Sequence, residues 1–518
     1  MEQKNLLLAV VLSGIFLLFW SVFVQPRFTQ PPLQTPPAQT SATAEIAQKP
    51  ADLVAPSNNK ARQSDDVFFR DQQNEVVLSP MGGRIKGWRL NLKGHEVDLV
   101  NMPEAPPLPP GSFSEKIFAI TQKNNTVALT GTVDKNLVLT KTLTLKPNGY
   151  LHDLTFHFQN RSGQPVEVRN WEWGWGPGLG TTLSEKKENS GLIRALSMGK
   201  LKTHVLKPGD YTEFGSWAGI DNRYFLVAFL PQDTGRPELS VTGTKDQTRV
   251  AVRESLTVPP HSDVFRHYQL YTGPKGYTQL KKYGKSLEEG VDFGFFSSVG
   301  KLILNVIYRL QNWTGNYGWA IVILTIGLQI LMFPLTIKQS KSMLAMKRIQ
   351  PQIAALNKQY KGDPKRLNVE MMNLYKKSGT NPFGGCLPML LQLPIFWALF
   401  TTLRNAYELR GVPWILWVKD LSAPDTLFHV SGVPVNILPL VMGGAMFFQQ
   451  RMSGAVTDPT QKQMMYFMPI IFTFMFYSFP SGLVLYWLIN NLLTMAIQWG
   501  FQRVTAPDAG SSTPSVVH

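Results

Sequence analysis

Six long apolar stretches constrain this chain more than any other feature of its sequence. Each contains at least 16 consecutive residues without Asp, Glu, Lys, Arg or His. An α-helix rises about 1.5 Å per residue, so roughly 20 apolar residues cross a hydrocarbon core about 30 Å thick. We therefore predict six membrane-spanning helices, within residues 1–24, 317–337, 385–403, 433–450, 464–479 and 482–501.

The first stretch is predicted to stay attached as a signal-anchor. Residues 6–24 are followed by Gln25-Pro26-Arg27 and not by the small-x-small site at which a signal peptide is cleaved. A cleaved signal peptide is the alternative. Residues 25–65 are rich in Pro, Gln, Thr and Ala, a composition typical of an extended tether.

The distribution of charge predicts the orientation of the spans. Residues 338–382 hold ten Lys and Arg residues and two acidic ones, whereas residues 404–432 hold three of each sign. Basic loops stay on the cytoplasmic side. We therefore expect residues 338–382 and the tail at 502–518 to be cytoplasmic, residues 25–290 to lie outside, and both termini to lie inside.

The large outer segment, residues 66–285, is predicted to be an antiparallel β-sandwich. Short alternating runs recur there between Gly, Asn and Pro turn signals. The closely spaced Trp171, Trp173 and Trp175 could form a sugar-binding platform, but alternating Trp in a strand more often belongs to the core. The single cysteine, Cys386, excludes an intrachain disulfide, and no metal site or catalytic residue is predicted.

The segment 292–311 is predicted to be an interfacial helix that lies flat on the membrane. Lys301, Asn305 and Arg309 recur on one face. The opposite face is apolar and comprises Phe295, Val299, Leu302, Val306 and Leu310. If this helix crossed the membrane instead, the basic and the balanced loops would exchange sides, against the charge rule.

The basic segment 338–382 is predicted to form two antiparallel helices. Apolar residues follow helical spacing on either side of Gly362-Asp363-Pro364, which suits a helix end, an N-cap and a first turn. Its candidate contact residues are Lys347, Arg348, Lys358, Lys361, Lys365 and Arg366. These residues either set the orientation of the membrane spans and otherwise face solvent, or they bind an RNA-rich or anionic partner. Their spacing does not decide between the two interpretations.

The apolar stretches carry neutral polar residues but no ionisable ones. Ion-coupled transport and catalysis within the membrane generally need ionisable groups, so both are disfavoured. The neutral residues recur at i, i+4, as in Thr325 and Gln329 and again in Asn490, Thr494 and Gln498. Two interpretations remain: ordinary hydrogen bonding between helices, or two polar stripes that face each other across a wet groove.

Five motifs in the C-terminal part resemble those of the YidC/Oxa family, in its bacterial form with a large periplasmic domain. They are FPLT at 333–336, NPFGGCLP at 381–388, QLPIF at 392–396, DLSA at 420–423 and FPSGL at 479–483. The resemblance covers residues 292–503. It implies a bacterial inner-membrane protein insertase with a five-span core, and neither an enzyme nor a cofactor.

The resemblance also implies partners and a substrate site. The expected partners are nascent membrane proteins, the Sec translocon, the ribosome through the basic hairpin, and anionic lipid, with no specific DNA binding. The expected groove residues are Thr325, Gln329, Gln392, Gln450, Trp487, Asn490 and Thr494. Family members usually have an arginine where this chain has Gln329. A transporter, or an envelope scaffold that acts through the β-domain, is the alternative function.

The sequence as a whole therefore predicts a polytopic α-helical membrane protein of six spans, five of them forming an insertase core, with an extracytoplasmic antiparallel β-sandwich domain. The fourth and fifth spans have about 16 apolar residues and a length of roughly 24 Å, which is below the thickness of the hydrocarbon core. Such a mismatch can be relieved by local thinning of the bilayer.

Overall fold

The computed structural model of the protein describes ten segments of the chain. They are residues 66–92, 95–100, 113–180, 193–199, 202–212, 215–233, 237–244, 247–379, 387–453 and 459–505. The predicted anchor and tether, at residues 1–24 and 25–65, lie outside these segments, as do residues 506–518 of the tail.

Residues 66–274 form strands, as their alternating hydrophobicity predicts. The strands of this part and of a later hairpin are β1 (Val67–Arg70), β2 (Asn74–Ser79), β3 (Arg84–Leu92), β4 (His95–Asp98), β5 (Ala119–Lys123), β6 (Thr126–Asp134), β7 (Leu137–Thr144), β8 (Leu151–Asn160), β9 (Val166–Trp175), β10 (Arg194–Met198), β11 (Thr203–Leu206), β12 (Gly209–Tyr211), β13 (Ala218–Asp221), β14 (Phe225–Pro231), β15 (Glu238–Thr242), β16 (Arg249–Val258), β17 (Asp263–Pro274), β18 (Thr426–Val430) and β19 (Val433–Asn436).

These strands build antiparallel sheets that pack as a sandwich. A nine-stranded sheet has the order β11-β10-β13-β14-β17-β8-β7-β6-β5, and a four-stranded sheet has the order β12-β15-β16-β9. β1 to β4 form another four-stranded sheet. Phe156 of β8 lies 4.9 Å from Trp171 of β9, measured between ring centroids, so the two sheets meet through aromatic side chains. Trp171 and Trp175 are each only 2% exposed, which supports their assignment to the core.

Helices dominate the chain after residue 276. They are α1 (Tyr277–Tyr283), α2 (Ser297–Thr314), α3 (Tyr317–Gln359), α4 (Pro364–Lys377), α5 (Leu387–Asn405), α6 (Ile437–Ser453), α7 (Pro459–Phe476) and α8 (Ser481–Thr505), with 3₁₀ helices at Leu287–Gly290 and Tyr407–Leu409. Among the described residues, α3 is the one helix that is long and apolar enough to cross a membrane. A shorter apolar helix covers Tyr466–Phe476.

α3 continues beyond the predicted end of the second span. The span was predicted to end at residue 337, and the helix, which is 43 residues long, continues to Gln359 and includes the first predicted helix of the hairpin. The sequence changes from apolar to basic at Lys338, but a charged residue alone does not end a helix. The predicted break follows at residues 360–363, and the Asp363 carboxylate accepts a hydrogen bond from the Arg366 N–H, as an N-cap does.

The fourth span was predicted to start at residue 433, and this start was wrong. Residues 433–436 form β19, which pairs with β18, and Ser431 and Gly432 between them have positive φ angles of 50° and 80°. Two residues with positive φ make the tight turn that favours a β-hairpin. α6 begins only at Ile437, where one carboxylate oxygen of Asp425 accepts from the N–H groups of residues 437 and 438.

α2 packs on protein through a face other than the predicted apolar one. It begins at Ser297 and not at 292, and its buried residues are Gly300, Ile303, Leu304 and Ile307. Of the residues predicted to face the membrane, Phe295 is 94% exposed and Leu302 is 63% exposed. That the helix lies flat on a membrane stays a prediction, whereas the face that packs on protein was not predicted.

A buried charged cluster joins the sandwich to the segment that leads into α2. Asp221 of β13 accepts hydrogen bonds from Arg194 and from the ammonium group of Lys275. Arg194 also donates to Asp292, and the backbone carbonyl of Asp292 accepts from Asn405 of α5. Hydrogen bonds and ion pairs of Asp221, Arg194 and Asp292 thus connect the β-domain to the helical core.

Candidate functional site

The two predicted polar stripes lie at the contact between α3 and α8. The Gln329 side-chain amide of α3 donates to the Thr494 hydroxyl of α8 at 3.4 Å. The Thr494 hydroxyl in turn donates to the Asn490 carbonyl at 2.8 Å. Thr325 is fully buried, and its hydroxyl donates to the Ile321 carbonyl one turn earlier at 2.7 Å. The hydrogen bond between Gln329 and Thr494 therefore joins the two predicted stripes.

Gln392 lies elsewhere in the core, on α5. Its side-chain amide donates to the hydroxyl of Tyr486, which is buried on α8. Tyr486 was not among the predicted site residues. Its position beside Trp487 in the sequence was the available signal, but only the fold shows that its hydroxyl reaches a polar side chain.

Trp487 belongs to an aromatic cluster. Its ring centroid lies 5.2 Å from that of Phe396 on α5, and 5.3 Å and 6.0 Å from those of Phe476 and Phe472 on α7. Aromatic pairs at such separations stabilise one another in tilted and edge-to-face geometries. The cluster holds α5, α7 and α8 together and fixes the orientation of the Trp487 indole.

Four buried polar atoms without a partner lie on α6 and α8. They are Gln450 Oε1, Trp487 Nε1, Asn491 Nδ2 and Gln498 Oε1, none of which is hydrogen-bonded within the described part of the chain. A buried polar atom left unsatisfied costs about 1–3 kcal/mol. These atoms therefore offer donors and acceptors that water or a bound polypeptide could satisfy.

A cavity lies between α6 and α8. Its volume is about 560 Å³, and apolar side chains such as Val441, Phe448, Leu492 and Met495 line it. Arg451 is the charged residue in the lining, and its guanidinium lies 5.7 Å from the ring centroid of Phe447. The sequence did not single out Arg451, because its position at the end of the fourth span was indistinguishable from ordinary topology charge.

The basic hairpin presents its predicted contact residues to solvent. All six are exposed on α3, α4 or the turn between them, namely Lys347, Arg348, Lys358, Lys361, Lys365 and Arg366. Arg366 forms an ion pair with Asp363 at 3.8 Å. The apolar side of the same stretch of α3 is buried, with Ile349 at 7% and Ile353 at 8% exposure.

The described residues hold no group of three or more His, Cys, Asp or Glu side chains that could bind a metal ion. The core instead combines amide and hydroxyl groups, indole rings and apolar walls. Such a set can bind a polypeptide by hydrogen bonding and by burial of apolar surface, without covalent chemistry.

Comparison with known proteins gives two consecutive family matches. Residues 94–306 match the family described as the YidC periplasmic domain, and residues 309–508 match the 60Kd inner membrane protein family. The membrane protein insertase YidC of Endomicrobium trichonymphae is 41% identical over 97% of this chain and 99% of its own length. The insertase of the same name from Pelobacter propionicus is 35% identical over 96% of this chain and 98% of its own.

A solved structure gives a further match. An active YidC insertase, described as having its first transmembrane domain resolved, shares 21% identity with this chain. The match covers 85% of this chain and 93% of that one, with a TM-score of 0.40.

Proposed function

The chain belongs to the YidC family of membrane protein insertases, and from this premise we propose that it inserts and folds nascent inner-membrane proteins through a hydrophilic groove between its helices. The resemblance seen in the five sequence motifs is thereby confirmed at the level of the family. The groove and its residues are our proposal.

In the proposed arrangement, α3, α5, α6, α7 and α8 are five spans and the apolar stretch within residues 1–24 is the sixth. Both termini and the basic hairpin are cytoplasmic, and the β-sandwich is periplasmic. The excess of Lys and Arg in residues 338–382 supports this orientation. The hairpin β18–β19 and the balanced loop around it then lie on the periplasmic side.

The observation that carries the groove is the set of four unpartnered polar atoms on α6 and α8. In hydrocarbon, such atoms are unfavourable unless another polar group or water reaches them. A hydrophilic segment of a nascent chain that enters beside α8 would satisfy them, and its apolar span could occupy the cavity between α6 and α8. The groove residues in this proposal are Thr325, Gln329, Gln392, Gln450, Trp487, Asn490 and Thr494.

The length of α6 supports the same mechanism. It has 17 residues, which corresponds to roughly 25 Å, whereas the hydrocarbon core is about 30 Å thick. A short span favours local thinning of the bilayer. A thinner bilayer beside polar groups lowers the barrier for moving a hydrophilic segment across.

We further propose that the exposed cations of the hairpin contact the ribosome or the nascent chain. Phosphate groups attract Lys and Arg clusters irrespective of sequence, and anionic lipid headgroups do the same. We also propose that the protein inserts some of its clients together with the Sec translocon, because the resemblance to the family implies this partner.

The groove is tested by site-specific photo-crosslinking to a stalled single-span nascent chain. A photoreactive residue at position 329 should give adducts, whereas the matched position 330 should give few, because Gln329 is 8% exposed and faces α8 while Ile330 is 68% exposed and faces away. Adducts from position 330 alone would overturn the proposed groove while leaving the family assignment unaffected.

A further inference from the structure

The β-sandwich contains a cavity of about 100 Å³, which is separate from the proposed groove. It lies among β3, β6, β7, β8 and β9. Leu129, Leu143 and Phe156 contribute apolar walls, while Lys141, Arg84 and Trp173 contribute polar groups. The cavity is far too small for a folded partner.

Lys141 brings an ammonium group into this cavity without an acidic partner. Its Nζ donates to the Gly82 carbonyl at 2.7 Å and to the Gly83 carbonyl at 3.3 Å, and it lies 4.7 Å from the ring centroid of Phe118. An ammonium group has three N–H donors, so one remains. Burial lowers the pKa of Lys141 to about 8. Within the described segments, no carboxylate forms an ion pair with it.

Two further donors in the cavity lack acceptors. Arg84 Nε and Trp173 Nε1 are both buried, and neither is hydrogen-bonded to any described residue. Burial also lowers the pKa of Arg84, and the nearby Asp66 carboxylate offsets part of this effect. Three donors on different strands, two of them on cations, therefore line one small apolar space.

The acidic residue in the lining, Glu172, already has a partner. Its carboxylate accepts a hydrogen bond from Arg253 Nε at 2.6 Å. Arg253 also pairs with Asp210 at 3.2 Å, so this one cation binds two carboxylates. The donors of Lys141, Arg84 and Trp173 still need acceptors, which a bound ligand would have to supply.

We propose that this cavity binds a carboxylate attached to a short apolar group, with the carboxylate against Lys141, Arg84 and Trp173 and the apolar group against Leu129, Leu143 and Phe156. A buried cation is costly unless it is paired and hydrogen-bonded, and a ligand carboxylate provides both. The same chemistry is found in a short fatty acid and in the C-terminal residue of a polypeptide. The site does not depend on the proposed groove.

The first test compares ligands that share an apolar chain and differ in charge. Binding of hexanoate, hexanol and hexylammonium to the full-length protein in detergent is measured by titration calorimetry. Hexanoate should bind at least ten times more tightly than hexylammonium. Lys141→Met should remove this preference, whereas Lys123→Met, an exposed lysine on β5 of the same sheet, should change the hexanoate affinity less than twofold. Equal affinities for the two charged ligands would overturn the proposal.

Lys141 could instead serve only to hold the Gly82 and Gly83 carbonyls. Trp173→Phe separates the two roles, since it removes one donor from the cavity and leaves Lys141 in place. It should weaken hexanoate binding at least threefold and leave the affinity for hexanol unchanged. If neither Trp173→Phe nor Lys141→Met affects hexanoate binding more than Lys123→Met does, the site is refuted.

Competition then distinguishes the two sources of the carboxylate. A short acetylated peptide that ends in leucine is added as the free acid or as the C-terminal amide. Displacement of hexanoate by the acid alone identifies a polypeptide C-terminus, and the absence of displacement by either form identifies a free short-chain acid. Displacement by the amide as strongly as by the acid would contradict recognition of a carboxylate.

Discussion

Removal of the Asp221 carboxylate should destabilise the protein strongly, because it would leave the buried Lys275 ammonium group without its counter-ion and would remove one of the two carboxylates that pair with Arg194. Asp221 is fully buried, and it accepts from Arg194 at 3.1 Å and 2.7 Å and from Lys275 at 2.5 Å. Lys275 is only 3% exposed. The pKa of Lys275 is lowered, since its burial outweighs the attraction of Asp221. Loss of one member of such a cluster costs about 3–5 kcal/mol.

The assay is thermal unfolding of purified full-length Asp221→Asn in detergent, followed by circular dichroism. At roughly 2–4 °C per kcal/mol for a large domain, the loss corresponds to a decrease in Tm of about 6–20 °C. Asp153→Asn is the matched control: Asp153 pairs with Lys146 at 3.0 Å, but both side chains are nearly half exposed. An exposed pair contributes about 0–1 kcal/mol.

A second variant tests the cause. Adding Lys275→Met to Asp221→Asn removes the stranded ammonium and should recover more than half of the lost Tm, while Arg194 keeps Asp292 as its partner. If Asp221→Asn unfolds within about 1 °C of Asp153→Asn, or if the double variant is less stable than the single one, the argument from uncompensated burial is refuted.

Three further predictions concern the helices and the loop between α5 and β18. Gly443→Ala should lower the Tm, because its new Cβ would lie 2.0 Å from the Thr473 hydroxyl oxygen. Such overpacking costs about 1–3 kcal/mol. Gly444→Ala is the control, since its Cβ meets nothing within 4 Å, and equal effects of the two substitutions would contradict close packing of α6 on α7. Burial raises the pKa of Glu408, so the native state binds this proton more tightly than the unfolded state and loses stability as the pH rises above about 4.5. The Tm of Glu408→Gln relative to that of the wild type should therefore rise between pH 4.5 and pH 7.5. A difference in Tm that is constant with pH would disprove this prediction. Gln329→Arg should preserve insertion of uncharged clients in proteoliposomes and accelerate that of clients with acidic tails, and complete loss of insertion would contradict an open, hydrated groove.

Elements with local signals could be predicted from the sequence. The alternation along β8 gives a strand with one buried face, and Gly362-Asp363-Pro364 ends one helix and starts the next. In both cases the deciding groups lie within a few residues of the element. The start of α6 could not be predicted, because residues 433–436 are as apolar as a span and become a strand only by pairing with β18.

The candidate site was predictable in composition but not in arrangement. Spacing at i, i+4 placed Gln329 on one helix face and Thr494 on another, and the fold brings these two side chains to 3.4 Å. The sequence gives no information on how a helix is rotated about its axis. For this reason Arg451, which lines the cavity between α6 and α8, was not distinguished from the other cations that flank the spans.

The neutral polar groups of the core favour a site that releases what it binds. An unpaired charge in hydrocarbon would hold an oppositely charged client strongly, because desolvation strengthens electrostatic attraction. Each unsatisfied amide or indole on α6 and α8 contributes only about 1–3 kcal/mol when it is satisfied. In the proposed groove, a client that meets a few of these groups while its apolar span still lies outside the bilayer would gain enough to enter. Burial of about 20 apolar residues in lipid would then exceed that gain, so we expect the client to leave sideways into the membrane without any external source of energy.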